Sequence, residues 1–277
     1  MTIEATSQAD LGELQQRWRE GIAELISYRY IGTYAEPHGR READGGLKIR
    51  RDLRGPVGLL AAPLGIALLA VAGVNVYPLS VVSPTRIDLE LFESATDVSE
   101  VHFDGHLIRE ARSQYFTESR ITDASDPNRL IGFGGTHWAV SRPCPEYTYV
   151  DPGPGVPDSA DLPPLYEPYG ARLRADGRLE VPEVRPELGR NGLHQGPFQV
   201  VSEAAARRAA EGALGTDKFW IEHFGMSIVA RGHGVPLVAH PEVLHVTSAS
   251  VTVRVEMRAE GDDDAICSAA LCRFRRS

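Results

Sequence analysis

Lysine is almost missing from this chain. Only Lys48 and Lys218 occur among 29 basic residues, the others being arginines, which we read as the codon bias of a GC-rich bacterial genome rather than as function. Cysteine is scarce as well, with three in 277 residues. Cys144, Cys267 and Cys272 form neither a disulfide framework nor a metal-ligand spacing, so a reducing cytoplasm is expected. Cys267 and Cys272, five apart in a strand pattern, should face opposite ways. A basic excess is absent too: the formal net charge of -9 argues against a nucleic-acid partner, because phosphate binding is driven by Lys and Arg. The N-terminal stretch MTIEATSQADLGELQQRWRE carries acids and no apolar core, so it does not read as a signal peptide. Finally, no charge lies between Arg54 and Arg86. Leu59 to Leu79 is about long enough to span a bilayer. Pro63, Gly65, Gly73, Asn75 and Pro78 interrupt it and no polybasic flank follows, so it is assigned to a soluble core, with no membrane partner.

What is present is ordinary for a globular protein: 42% apolar and 24% charged residues exclude a disordered chain, a collagen and a coiled coil. The length suits two lobes. Residues 11–30 predict an amphipathic helix, with Leu11, Leu14, Trp18, Ile22, Leu25 and Ile26 at a period of three to four. Residues 143–186 hold ten of the 19 prolines and cannot form a helix or a central strand. The two sides of this linker resemble each other. GPVGLLAAPLGIALLA (55–70) aligns without gaps on GRNGLHQGPFQVVSEA (189–204), and DGGLKI (44–49) matches DGRLEV (176–181). TRIDLELF (85–92) and FWIEHFGMSIVA (219–230) both read as strands, and further strand patterns follow in the same order. Each half thus reads as a strand, a loop, one helix, predicted over 63–72 and 197–211, and then several strands, giving an antiparallel sheet of about five or six strands that must wrap the helix, with the two sheets side by side. That is an α+β arrangement. Pro63 and Pro197 suit a first helical position. The domain reading is an N-terminal helical segment over 1–44, a first unit over 45–142, a Pro-rich linker over 143–175 and a second unit over 176–277.

NGLHQGPFQVVSEAAARRA resembles the signature of hotdog-fold acyl-CoA thioesterases of the hydroxybenzoyl-CoA and phenylacetyl-CoA type. In that family a His-Gly-Gly-like turn opens the central helix and an acid follows nine residues after the His. Here His194, Gln195 and Gly196 form the turn, with Gln195 where the family usually has Gly, and Glu203 is the acid. The duplication extends the resemblance to a tandem double hotdog. The first half carries Leu60, Ala62 and Leu69 where the second has His194, Gly196 and Glu203. The resemblance implies an acyl-CoA substrate, with coenzyme A as part of that substrate and no separate cofactor, and a possible homodimer of double-hotdog chains.

The chemistry can be argued from the residues. Thioester hydrolysis builds negative charge on the carbonyl oxygen, and free amides at a helix N-terminus suit it. A carboxylate then serves as nucleophile or as base for a water. Gly196 and Glu203 are seven residues apart, about 10 Å along a helix, too far to reach one carbonyl. Glu203 should therefore face the amides near Ala61 and Ala62, and Gly196 should face Leu69, which can do no proton chemistry. The catalytic candidates are Glu203, Gly196, His194 and Ala62. The substrate-binding candidates are Asn191, Leu60, Leu64, Phe198 and Val201, with the acyl group between the two helices.

Plainer roles stand beside these. His194 can simply hydrogen-bond the loop, Asn191 can be a turn residue, and Gly58, Gly192 and Gly196 can serve tight backbone geometry. His223, His233, His240 and His245 lack zinc spacing, so no metal is expected. GFGGT (132–136) lies in a strand pattern and is not a phosphate loop. Two other functions remain open. A non-catalytic acyl-CoA-binding or scaffold protein fits the degenerate first half. An enoyl-CoA hydratase-like enzyme would want an Asp five residues before His194, where Gly189 stands.

Overall fold

Two helices organise the protein, here described as a computed structural model covering residues 25–76, 80–143, 153–189, 192–233, 236–261 and 265–277. The first, α1, spans Ala61–Val76; the second, α2, spans Gln195–Leu214. Every residue of α1 except Ala70 is buried, which accounts for a stretch apolar on all sides. Each fully buried Leu or Ile in it contributes roughly 1.5–3 kcal/mol. Among the described residues, no helix is long and apolar enough to cross a membrane. Helix α2 exposes Arg208 and Glu211 and ends on Gly215, whose φ of 65° gives the left-handed cap that residue type favours.

Both helices begin two residues before the expected prolines and run past the expected ends. Pro63 and Pro197 therefore occupy third positions, not first ones. The first four amides of a helix have no partner within it, so proline costs nothing anywhere in that turn.

The strands of the first half are β1 (Tyr34–Pro37), β2 (Glu42–Lys48), β3 (Arg54–Gly55), β4 (Gly58–Leu59), β5 (Ser80–Leu91), β6 (Glu100–Glu110), β7 (Gln114–Asp123) and β8 (Asp126–Pro143). The second half adds β9 (Arg172–Leu173), β10 (Leu179–Val181), β11 (Phe219–Ile228), β12 (Leu237–Val246), β13 (Ser250–Ala259) and β14 (Ile266–Arg276). Among the described residues, twelve of these make one antiparallel sheet in the order β1-β2-β6-β7-β8-β5-β11-β14-β13-β12-β10-β9, while β3 and β4 form a separate pair. The order is a near-palindrome: β5 corresponds to β11, β8 to β14, β7 to β13, β6 to β12. The two halves join where β5 pairs with β11, with Leu89 opposite Phe224 and Ile87 opposite Met226, all four buried.

The sheet starts at Tyr34, inside the segment expected to be helical. Of the helix expected over 11–30, residues up to 24 lie outside the described ones. Ile26–Arg29 make a single helical turn. Cys267 and Cys272 are both buried; a register irregularity between Met257 and Arg258 on the paired strand lies beside Cys267.

Candidate active site at the start of the first helix

The helices run antiparallel. Gln199 packs so closely on Gly65 that a Cβ there would collide with the Gln199 Oε1. One turn further along α2, and one turn back along α1, Glu203 reaches the start of α1. Its Oε1 accepts the Ala61 amide at 3.1 Å and its Oε2 the Ala62 amide at 2.7 Å. The acid on α2 thus satisfies two of the orphan donors of α1. A third donor is Arg207 Nε, 3.2 Å from Glu203 Oε1 and one turn on along α2. Glu203 is only 2% exposed. Burial pushes the thiol of nearby Cys272 well above its ordinary pKa, and the charge of Glu203 adds to that rise.

A cavity of about 550 Å³ opens beside this cluster. Leu60, Ala62, Val200, Glu203 and Ala204 form its inner wall. Leu162, Pro163, Pro164, Leu165 and Tyr166 of the Pro-rich linker cover it, and Arg51, Arg54, Arg207 and Arg208 add positive charge. The linker is fastened down: Val156 N donates to Tyr30 O at 3.1 Å and Arg51 N to Asp158 Oδ1 at 3.2 Å. Arg54 is spent on backbone carbonyls of Ala95, Thr96 and Val98. Arg208 is exposed and, among the described residues, the Arg51 side chain pairs only with the exposed Asp158.

The equivalent place at the start of α2 is closed. Ser27 lies over Gly196, where a Cβ would collide with its hydroxyl. Ser27 Oγ is 2.7 Å from His194 Nδ1, Tyr169 donates its hydroxyl to Ser27 O at 3.0 Å, and Gln195 Nε2 donates to Tyr28 OH at 2.8 Å. The Tyr28 ring meets the imidazole edge-on at 5.7 Å. Burial holds the His194 pKa down to about 3, so the ring is neutral near pH 7.

The structure therefore brings Glu203, Ala62 and Leu60 together at one cavity and leaves His194 and Gly196 elsewhere, in a packed corner. Leu64, Phe198 and Val201 are fully buried core residues and are not on the cavity wall, so the space beside Glu203 lies toward Leu60 and Val200. Asn191 lies outside the described residues. Arg207, the linker residues and Ser27 were missed by sequence reasoning. Only Arg207 carried a signal, its i,i+4 spacing from Glu203. Among the described residues no group of three His, Cys, Asp or Glu side chains is placed to hold a metal.

This architecture defines the class: a double hotdog, two wrapped helices under one continuous sheet. No family model matches the sequence and no curated protein matches it. Solved structures do match in fold. An acyl-CoA thioesterase II, TesB2, from Mycobacterium marinum aligns with a TM-score of 0.63 at 12% identity, covering 91% of this chain and 98% of its own. The tesB protein of Mycobacterium avium subs paratuberculosis gives 0.58 at 12%, covering 88% and 95%. An acyl-ACP thioesterase from Bacteroides thetaiotaomicron gives 0.56 at 12%, covering 84% and 97%. At these identities the likeness is one of fold.

Proposed function

We propose that the protein is an acyl-CoA thioesterase with one active site per chain, at Glu203 and the start of α1. The observation that carries this reading is the buried Glu203 carboxylate, seated on the Ala61 and Ala62 amides at the wall of a largely apolar cavity. The thioester carbonyl takes the place of a carboxylate oxygen at Ala62 N, where the helix dipole and the amide stabilise the developing oxyanion. Glu203 then acts as base or as nucleophile. As base, it takes a proton from a water whose oxygen attacks the carbonyl carbon. As nucleophile, it forms an anhydride that water cleaves. In both routes the C–S bond breaks and the thiolate leaves to be protonated. Leu60, Val200, Ala204 and the linker residues Leu162 and Tyr166 hold the acyl chain, and Arg51 and Arg208 meet the phosphates of coenzyme A. Coenzyme A enters as part of the substrate.

One observation favours a second reading, a non-catalytic acyl-CoA binder: Glu203 already uses both amides and is neutralised by Arg207. A panel of short- to long-chain acyl-CoAs followed with a thiol reagent separates the two. Catalytic thiol release supports the enzyme. Saturable binding with the thioester intact after hours supports the binder.

A further inference from the structure

In the resting site the acid and the substrate carbonyl compete for the same donor, so a working site needs somewhere for the carboxylate to go. We propose that Arg207 is that second seat. When a carbonyl takes the Ala62 amide, Glu203 Oε1 stays on Arg207 Nε and Oε2 crosses to Arg207 Nη2. This rests on the thioesterase reading for the carbonyl that displaces Oε2.

The geometry points there on three grounds. First, the fork is half made: Nε already holds Oε1 at 3.2 Å, while Nη2 is buried and, among the described residues, has no hydrogen-bond partner. The Nε–Nη2 edge is the one that matches both oxygens of a carboxylate. The same chain shows the completed form at Arg50, whose Nε and Nη2 hold Asp52 Oδ1 at 3.1 Å and Oδ2 at 3.0 Å. Second, the guanidinium is fixed in place. Its centre lies 5.6 Å from the Phe219 ring and 5.5 Å from the Phe274 ring, faces that attract a cation. Gly55 lies so close that a Cβ there would sit 2.6 Å from Nη1 and 2.8 Å from Nη2. Third, Oε1 need not leave the Arg207 Nε it already sits on. Oε1 is the pivot, and Oε2 exchanges one N–H donor for another. An ammonium in place of the guanidinium would supply charge but no second, pre-aligned donor. Arg207 is a positioning residue: it holds the acid clear of the carbonyl and lets the helix amides change partners.

Two experiments test it. In nitrogen-15 spectra of the full chain, saturation with an acyl-CoA ketone analogue, with methylene in place of sulfur, should shift the Arg207 Nε–H and Nη–H signals downfield. The Ala62→Pro variant removes the amide that holds Oε2, so its Arg207 signals should already be shifted without any ligand. Unshifted Arg207 signals in both states would overturn the proposal. In kinetics, Arg207→Lys keeps the charge and loses the fork. It should lower kcat roughly 10–100-fold while KM changes less than about 3-fold, the pattern of an interaction used after binding. A lysine variant with the wild-type kcat would overturn the proposal. A wild type that hydrolyses no acyl-CoA ends the thioesterase reading, while the ligand-free Ala62→Pro spectrum still decides whether the fork closes.

Discussion

Seven residues separate Gly196 from Glu203, a rise of about 10 Å, and that length alone sends the acid to another helix. The meeting of Glu203 with the Ala61 and Ala62 amides was legible for this reason. What lies over Gly196 was not: Ser27 comes from a distant segment, and no spacing rule announces such a contact. The two helix starts should therefore respond differently to substitution. Ala62→Val, on the cavity wall, should cut turnover steeply with a small change in stability. Gly196→Val should collide with Ser27 and cost about 1–3 kcal/mol as overpacking, read as a lowered denaturation midpoint, with kcat of the folded fraction retained. His194 gives a pH prediction. Its folded pKa is about 3 against an ordinary value of 6.5, so the unfolded chain binds the extra proton below pH 6.5. Stability should fall as pH drops from 6.5 toward 5, and His194→Gln should flatten that slope in denaturant titrations.

At the scale of elements, the alternation of strands and the two apolar helix patterns were readable because periodicity follows local geometry. The helix ends were not, since proline is free throughout the first turn. Nor was the cavity. The sequence reading runs the acyl group between the two helices past Leu60, Leu64, Phe198 and Val201; Leu60 lines the cavity, while the other three side chains fill the core, and the space lies under the linker. The linker's contribution is tertiary: its prolines exclude regular structure without saying what it covers. Val200→Trp should consequently shorten the preferred acyl chain, measured as kcat/KM across acyl-CoAs of increasing length. Leu64→Trp should instead destabilise the fold and leave the length preference of the surviving protein unchanged. The reverse pattern would move the pocket back between the helices.

For the whole molecule, the internal duplication carried most of the architecture. Matching motifs on both sides of the linker implied two copies of one unit, and the palindromic strand order shows how they join. The pairing of β5 with β11 was not readable, because both strands look like any half-buried strand; only the closed sheet shows that Leu89 and Phe224 meet. That seam should make unfolding a single event. Variants reporting through Trp138 in the first half or Trp220 in the second should give coincident transitions, and Phe224→Ala should destabilise the fold by about 3–5 kcal/mol, lowering both midpoints together.

In the proposed reaction one carboxylate, Glu203, does the chemistry at the start of α1. Thiol release from acyl-CoA should be measured for the wild type and for Glu203→Gln, a substitution that keeps the shape and removes the charge. Clear turnover is expected in the wild type and a loss of about 10²–10⁴ in kcat for the folded variant, together with a lowered denaturation midpoint, because the Gln side-chain nitrogen would face a helix N–H and Arg207 would lose its counter-charge. A Glu203→Gln protein that turns over at the wild-type rate would contradict it.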